Sequence, residues 1–185
     1  MFFLNPGYGQ EEGYEQYTVY ESLDSALLAQ EPVHYLDLSG QKLKSVPPKV
    51  FTLTELKVLI LRKNRIEEIP EELGALTNLE VLDISKTRLV SLPASIGNLV
   101  QLRELRVQRT YLSAIPEEIG NLVELRRLVA WDTALEEFPE TLNQCVNLQY
   151  IDLRRVQISR EDQDFIRSAV PKEAKLHMSA PCACD

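Results

Sequence analysis

A 23-residue period runs through most of this chain. Leu56, Leu79, Leu102, Leu125 and Leu148 recur at that spacing, and so do Pro47, Pro70, Pro93, Pro116 and Pro139. With the leucine as position 1, the proline is position 15. Position 4 reads Leu36, Leu59, Leu82, Leu105, Leu128, Ile151, and position 6 reads Leu38, Leu61, Ile84, Val107, Ala130, Leu153. Position 11 reads Leu43, Ile66, Leu89, Leu112, Leu135, Ile158, and position 18 reads Val50, Leu73, Ile96, Ile119, Leu142, Phe165. Six such units span 33–170 of the 185 residues. One unit of this size cannot bury its own apolar face, so the period restricts the fold to units stacked side by side around a shared core.

Each column has a physical reading. Positions 4 and 6 alternate with polar neighbours, as in a short strand with one buried face. Positions 11, 14, 18 and 21 bring the chain back through a turn and a loose helical arm, with further apolar side chains pointing inward. Stacked units then form a parallel sheet. Proline at position 15 suits the return arm, where no ladder N–H is needed. Gly74, Gly97 and Gly120 share position 19, which predicts a turn or a close approach there.

The units LKVLILRKNRIEEIPEELGALTN and LRELRVQRTYLSAIPEEIGNLVE resemble leucine-rich repeats of the 23-residue type, LxxLxLxxNxLxxLPxxIGxLxx. They are most similar to bacterial repeats of this length and to the Ras-group repeats of eukaryotes. The resemblance covers 33–158, with 159–170 as a degenerate, helical last unit. It implies an α/β solenoid: a curved right-handed horseshoe with the parallel sheet on its concave face and loops and short helical turns on the convex side. It also implies a recognition scaffold in signalling or at cell surfaces. One departure stands out. The family carries Asn at position 9, bonding backbone groups of neighbouring turns, whereas here only Asn64 conforms, the others being Gln41, Thr87, Thr110, Thr133 and Val156. Thr offers one hydroxyl donor where Asn offers two amide protons, which predicts a thinner ladder.

The ends differ from the repeats. Residues 1–13 read as a flexible segment. They lack the basic start and long apolar stretch of a signal peptide, although MFFL also fits the remnant of one if the natural start lies upstream. As written the chain reads as cytoplasmic, and as exported in that other case. Residues 14–32 read as an N-terminal cap, with an extended YTVY and a short helix from about Ser22 to Ala29. Ser159–Asp162 resembles a capping box opening a helix that ends before Pro171. Residues 171–185 then supply a cap strand, AKLHMS, and a tail.

Composition leaves little room for chemistry. No run approaches the roughly 18 apolar residues of a membrane helix, so no membrane insertion is expected. Cys182, Cys184 and His177 lack metal-site spacing and a fourth ligand. Cys145 falls in the apolar position-21 column, which reads as a buried thiol. No nucleophile motif or phosphate-cradling glycine loop is present, and the Glu pairs 67–68, 71–72, 117–118 and 136–137 read as a solvated face. The expectation is a chain that is not an enzyme and has no catalytic residues, cofactor or metal.

The informative positions are 3, 5 and 7, expected to point outward from the strands, and 8 and 10 on the ascending rim. These columns hold eleven Lys/Arg and five Asp/Glu, an excess of six basic residues in a chain of net charge -8, so the remainder carries -14. The expected partner-binding set is Tyr35, Val58, Ile60, Arg62, Val81, Arg106, Gln108, Arg127, Val129, Trp131, Tyr150 and Arg154. Its apolar members read as exposed, since aromatic residues beside arginine are common interface anchors. The reading is a monomeric protein-interaction module whose concave face takes a protein partner of acidic surface. The alternative is a polyanion, a nucleic acid or acidic polysaccharide, on the basic rim, with nucleic acid disfavoured by the acidic remainder.

Overall fold

The structure, a computed structural model, describes residues 14–180. The expectations for residues 1–13 and for Cys182 and Cys184 lie outside the described residues. Each of the six repeats contributes one short strand and the segments on either side add one each, so the described residues form a parallel eight-stranded sheet in sequence order. The strands are β1 (Val19–Tyr20), β2 (Tyr35–Asp37), β3 (Val58–Ile60), β4 (Val81–Asp83), β5 (Glu104–Arg106), β6 (Arg127–Val129), β7 (Tyr150–Leu153) and β8 (Lys175–Met178). Register follows the period without slippage: Leu59 lies opposite Leu82, Leu82 opposite Leu105 and Leu105 opposite Leu128. Side chains that alternate along a strand go to opposite faces, so positions 4 and 6 form the core. Leu59, Leu82 and Leu105 are fully buried there.

The return arms are tighter than the loose helix the sequence predicts. Five are single 3-10 turns, Pro48–Thr52, Glu71–Ala75, Ala94–Asn98, Glu117–Asn121 and Glu140–Gln144. Each follows the position-15 proline, whose carbonyl accepts the position-18 N–H, as from Ile96 to Pro93 at 3.1 Å. Glu71 Oε2 accepts the Ser95 N–H at 2.9 Å, so one member of the Glu71–Glu72 pair caps the next unit's turn. Gly97 is where neighbouring arms meet. A Cβ added there would lie 2.8 Å from Glu118 Cβ and 2.9 Å from its carbonyl oxygen, closer than real Cβ contacts come.

Position 8 turns the chain out of each strand through the left-handed region. Gly40 has φ 72°, and Lys63, Lys86, Arg109, Asp132 and Arg155 have φ between 57° and 62°. Bulky residues stand there at a steric cost. The backbone compensates: the N–H groups of Lys63, Lys86 and Arg109 each donate 3.0, 2.9 and 3.0 Å to the position-7 carbonyl of the next unit. Position 9 shows the thinner ladder. Asn64 Nδ2 donates to Leu38 O (2.8 Å) and Leu61 O (2.7 Å), and its Oδ1 accepts the Leu43 N–H (3.0 Å), tying two units together. Thr87, Thr110 and Thr133 each donate only within their own unit, at 2.7–2.8 Å.

Outside the repeats, α1 (Leu23–Leu27) starts at Ser22, whose hydroxyl accepts the Ser25 N–H. Helix α2 (Arg160–Ala169) starts at Ser159, which accepts the Asp162 N–H. Because α2 is a true α-helix, the 23-residue phase slips in this unit, and Ile166 rather than Phe165 is the fully buried side chain. Strand β8 then pairs with β7 along four residues.

Candidate functional site

The concave face of the sheet is built from positions 3, 5 and 7, and it is less open than the sequence predicts. Val58, Ile60, Val81 and Val129 are buried, not exposed, and so is Arg106. Parallel register sets like positions abreast about 4.8 Å apart, so neighbouring side chains on this face cover one another. Val58, Ile60 and Val81 form a small apolar cluster of their own, with Tyr35 and Tyr14 packed against it. Burial first, then the nearby Asp37 carboxylate, raises the pKa of Tyr35.

The middle of the face is ionic. Glu104 is 1% exposed, and its Oε1 accepts hydrogen bonds from Arg106 Nε and, at 3.3 Å, from Arg127 Nε. The Arg127 guanidinium carbon stands 4.5 Å from the Tyr150 ring centroid, a cation–π contact. Asp83 is also buried, accepting the Ser85 N–H at 2.9 Å. Burial pushes its pKa up, opposed by the Ser85 hydrogen bonds and by Arg106 and Arg62.

Toward the C-terminal end the face opens. Trp131 is half-buried at position 7, between Gln108 and Arg154 in the same column. Gln108 Oε1 is buried with no hydrogen-bond partner among the described residues. Arg154 is mostly exposed and lies across Asp152, donating Nε to Oδ1 at 2.9 Å and Nη2 to Oδ2 at 2.7 Å. For Asp152, burial works upward, but the Arg154 hydrogen bonds outweigh it and the carboxyl is held below its usual pKa. Tyr150 contacts His177 of β8 at 5.3 Å between ring centroids.

The sequence places the basic excess across the whole face and rim, whereas the structure sorts it. Arg88 pairs with Glu67, Arg109 and Arg155 share Asp132, and Arg154 is held by Asp152. Lys42, Lys63, Arg65 and Lys86 are exposed, with no carboxylate within 4.0 Å among the described residues. These four stand on the ascending rim of the first three units. The opposite rim carries a feature the periodicity hides. Glu80 at position 2 is gripped by Lys57 (3.1 Å) and Arg103 (3.0 Å) and accepts the Tyr14 hydroxyl at 2.9 Å. Hydrogen bonding to Tyr17, then to Glu80, raises the Lys57 pKa. Only the unpatterned tyrosines at 14 and 17, ahead of the first unit, hinted at this contact.

Elsewhere, Cys145 is fully buried with its Sγ 3.2 Å from Ile119 O, and burial pushes its thiol up to about 11. At that value it is protonated near neutrality and a poor nucleophile. Among the described residues no His, Cys, Asp or Glu side chains gather in threes as a metal needs, and no helix is long and apolar enough to cross a membrane.

A family profile described as a leucine-rich repeat region matches residues 36–170. A comparison with curated proteins found no match. Among solved structures, a leucine-rich repeat protein of Leptospira interrogans is similar at 24% identity and TM-score 0.64, over 80% of this chain and 42% of that one. The ectodomain of a membrane receptor kinase from Arabidopsis thaliana, in complex with Casparian strip integrity factor 2, is 31% identical over 69% of this chain and 19% of that one, with TM-score 0.60. The Toll–Spatzle complex of Drosophila contains a chain that is 28% identical at TM-score 0.66, over 72% of this chain and 18% of that one. The present chain thus spans less than half the length of these neighbours. Its fold is shared with protein-interaction modules, a class that is typically not enzymatic. Period, register and family profile agree, and the chain belongs to the leucine-rich repeat family.

Proposed function

We propose that this chain is a protein-binding module whose site is the concave face, centred on Trp131, and that its partner presents an acidic surface to the ascending rim. The observation that carries this reading is the position-7 column at Gln108, Trp131 and Arg154. A half-buried indole stands there between the Gln108 amide and a largely exposed guanidinium. Aromatic and arginine side chains dominate binding energy in protein interfaces. Arg127, over Tyr150, flanks the same patch. Val129, Val58, Ile60, Val81 and Arg106, being buried, serve as the floor of the face. Tyr35 and Arg62 lie toward its N-terminal end. The complexes of the Arabidopsis and Drosophila neighbours with their ligands support a binding role for the fold.

The four rim cations with no carboxylate beside them among the described residues also favour a second reading, a polyanion in place of an acidic protein surface. The two separate on salt. A polyanion complex weakens steeply and linearly in log salt, whereas an anchor-based protein complex loses mainly on-rate. The test is quantitative affinity capture from source cells with native, Trp131→Ala and Lys63→Glu/Lys86→Glu chains, at two salt concentrations. Loss of at least tenfold with Trp131→Ala, about 1.4 kcal/mol, is expected with an unchanged melting curve. Undiminished binding by that variant overturns the reading. Binding lost only with the rim variant and at high salt supports the polyanion.

A further inference from the structure

The residues leading into and through β1 send tyrosines to both faces of the sheet. Tyr20 packs against the main core, whereas Tyr14, six residues earlier, packs against Val58, Ile60 and Val81. A turn closed by the Tyr17 N–H on the Tyr14 carbonyl (3.1 Å) shapes residues 14–17. The Tyr14 hydroxyl reaches Glu80, 66 residues along the chain, and the Tyr17 ring lies 4.8 Å from His34 with the Lys57 ammonium 5.6 Å from its centroid.

We propose that residues 14–18 are a strap, and that Tyr14 occupies a socket which takes a tyrosine side chain of the protein partner, so that strap and partner exclude one another. The inference rests on the reading of the concave face as a protein-binding surface. The chemistry of the socket selects its occupant. Its floor is aliphatic, which suits a flat ring. Its far wall is the Glu80 carboxylate, already matched by two cations at 3.1 and 3.0 Å. A third cation there meets Lys57 and Arg103, but a neutral hydroxyl finds an acceptor. Tyrosine joins a flat ring to such a donor at its tip. The strap is held to the repeats by side-chain contacts to His34, Lys57 and Glu80, and β1 behind it pairs with β2 over two residues. Release of the arm therefore leaves the repeat stack, with its own core, in place.

The test needs no partner. N-Acetyltyrosinamide is titrated into native, Tyr14→Ala and Tyr14→Phe chains while the methyl signals of Val58, Ile60 and Val81 are followed by NMR, with Ile151 and Leu176 reporting that the far end stays folded. In Tyr14→Ala the three methyls are expected to respond at a concentration at least tenfold below that needed by the native chain. N-Acetylphenylalaninamide, lacking the hydroxyl, is expected to need several-fold more. Tyr14→Phe, which keeps the ring and cannot reach Glu80 with a donor, is expected to fall between. An equal response in native and variant chains overturns the strap, and no response in Tyr14→Ala overturns the socket. Unfolding of Tyr14→Ala together with a native-like response of Tyr14→Phe makes Tyr14 structural and overturns both. Trp131→Ala leaves this titration unchanged, so failure of the strap and failure of the Trp131-centred reading are told apart.

Discussion

The two faces of the sheet reach similar burial by different means. On the core face Leu105 is 0% exposed between Leu82 and Leu128, one apolar residue in a column of its kind. On the concave face its chain neighbour Glu104 is 1% exposed, held by two arginines. A column of like residues asks only that the period persist. A column of unlike residues asks that each side chain match its neighbours within a few strands. The concave face accordingly changes character along the stack, from aliphatic at β3 and β4, to ionic at β5 and β6, to a half-open indole and an exposed arginine over a buried aspartate beside β7. The core face repeats what the fold requires, and the concave face varies where the fold leaves the side chains free.

The contrast predicts how each face fails. Leu105→Ala removes contacts and leaves a cavity that the repeat cannot close, at an expected cost of about 4 kcal/mol in denaturant melts. Glu117→Ala, on an exposed arm where Oε2 accepts the Thr141 N–H at a long 3.4 Å, is expected to cost under about 1 kcal/mol, so effects equal to that of Leu105→Ala would refute the register of core and arm. Glu104→Ala removes the buried carboxylate that both Arg106 and Arg127 bond and is expected to cost about 3 kcal/mol. Replacing Glu104 and Arg106 together by leucine should recover part of that loss, because a buried charge of each sign goes while Arg127 still loses its carboxylate. A double variant no better than the single one would show that the concave face packs by columns after all.

Two smaller effects sharpen the comparison on the core side. Gly97→Ala drives a methyl into Glu118 and is expected to cost about 2 kcal/mol, an overpacking effect seen in thermal melts. Position 9 offers a gain as well as a loss. Asn64→Thr gives up the bonds to Leu38 and Leu43, and Thr110→Asn can create the equivalent pair toward Ile84 and Leu89. Opposite shifts of about 1 kcal/mol are expected, and shifts of the same sign would show that the ladder contributes nothing between units.

Much of this was legible in the residues because periodicity reports burial on the core face. The leucine and proline columns name the strands, the arms and their register, and Ser22 and Ser159 mark the starts of both helices. The concave face was only half legible. Its residues could be enumerated, but reading Val58, Ile60, Val81 and Val129 as exposed ignored how parallel register packs neighbouring side chains together. The left-handed turn at position 8 was hidden by its occupants, since lysine, arginine and aspartate stand where only Gly40 announces the conformation. The Tyr14–Glu80 contact joins residues outside the period to one inside it, and no column carries that information. The slip from Phe165 to Ile166 follows from a change of helix type that a fixed period cannot express.

The finest prediction separates two aspartates at the same repeat position. Asp83 and Asp152 both occupy position 5, and both accept the N–H of position 7 through Oδ1, from Ser85 at 2.9 Å and Arg154 at 3.2 Å. Their surroundings push them apart. For Asp83, burial prevails and its pKa rises. The folded chain then binds that proton more tightly than the unfolded one, whose aspartates titrate near about 3.9. Stability from this site is present in acid and lost as pH rises through the folded value. For Asp152, burial is outweighed by the paired Arg154 hydrogen bonds and the pKa falls. Its contribution is present above about 3.9 and lost as pH falls through the lower folded value. Asparagine at either position keeps the Oδ1 acceptor and removes the titration. Relative to the native chain, Asp83→Asn is therefore expected to become more stabilising as pH rises from acid toward neutrality, and Asp152→Asn more destabilising. Denaturant melts at several pH values read both slopes. Slopes of the same sign would mean that position, rather than the neighbouring arginine, sets the electrostatics of this face.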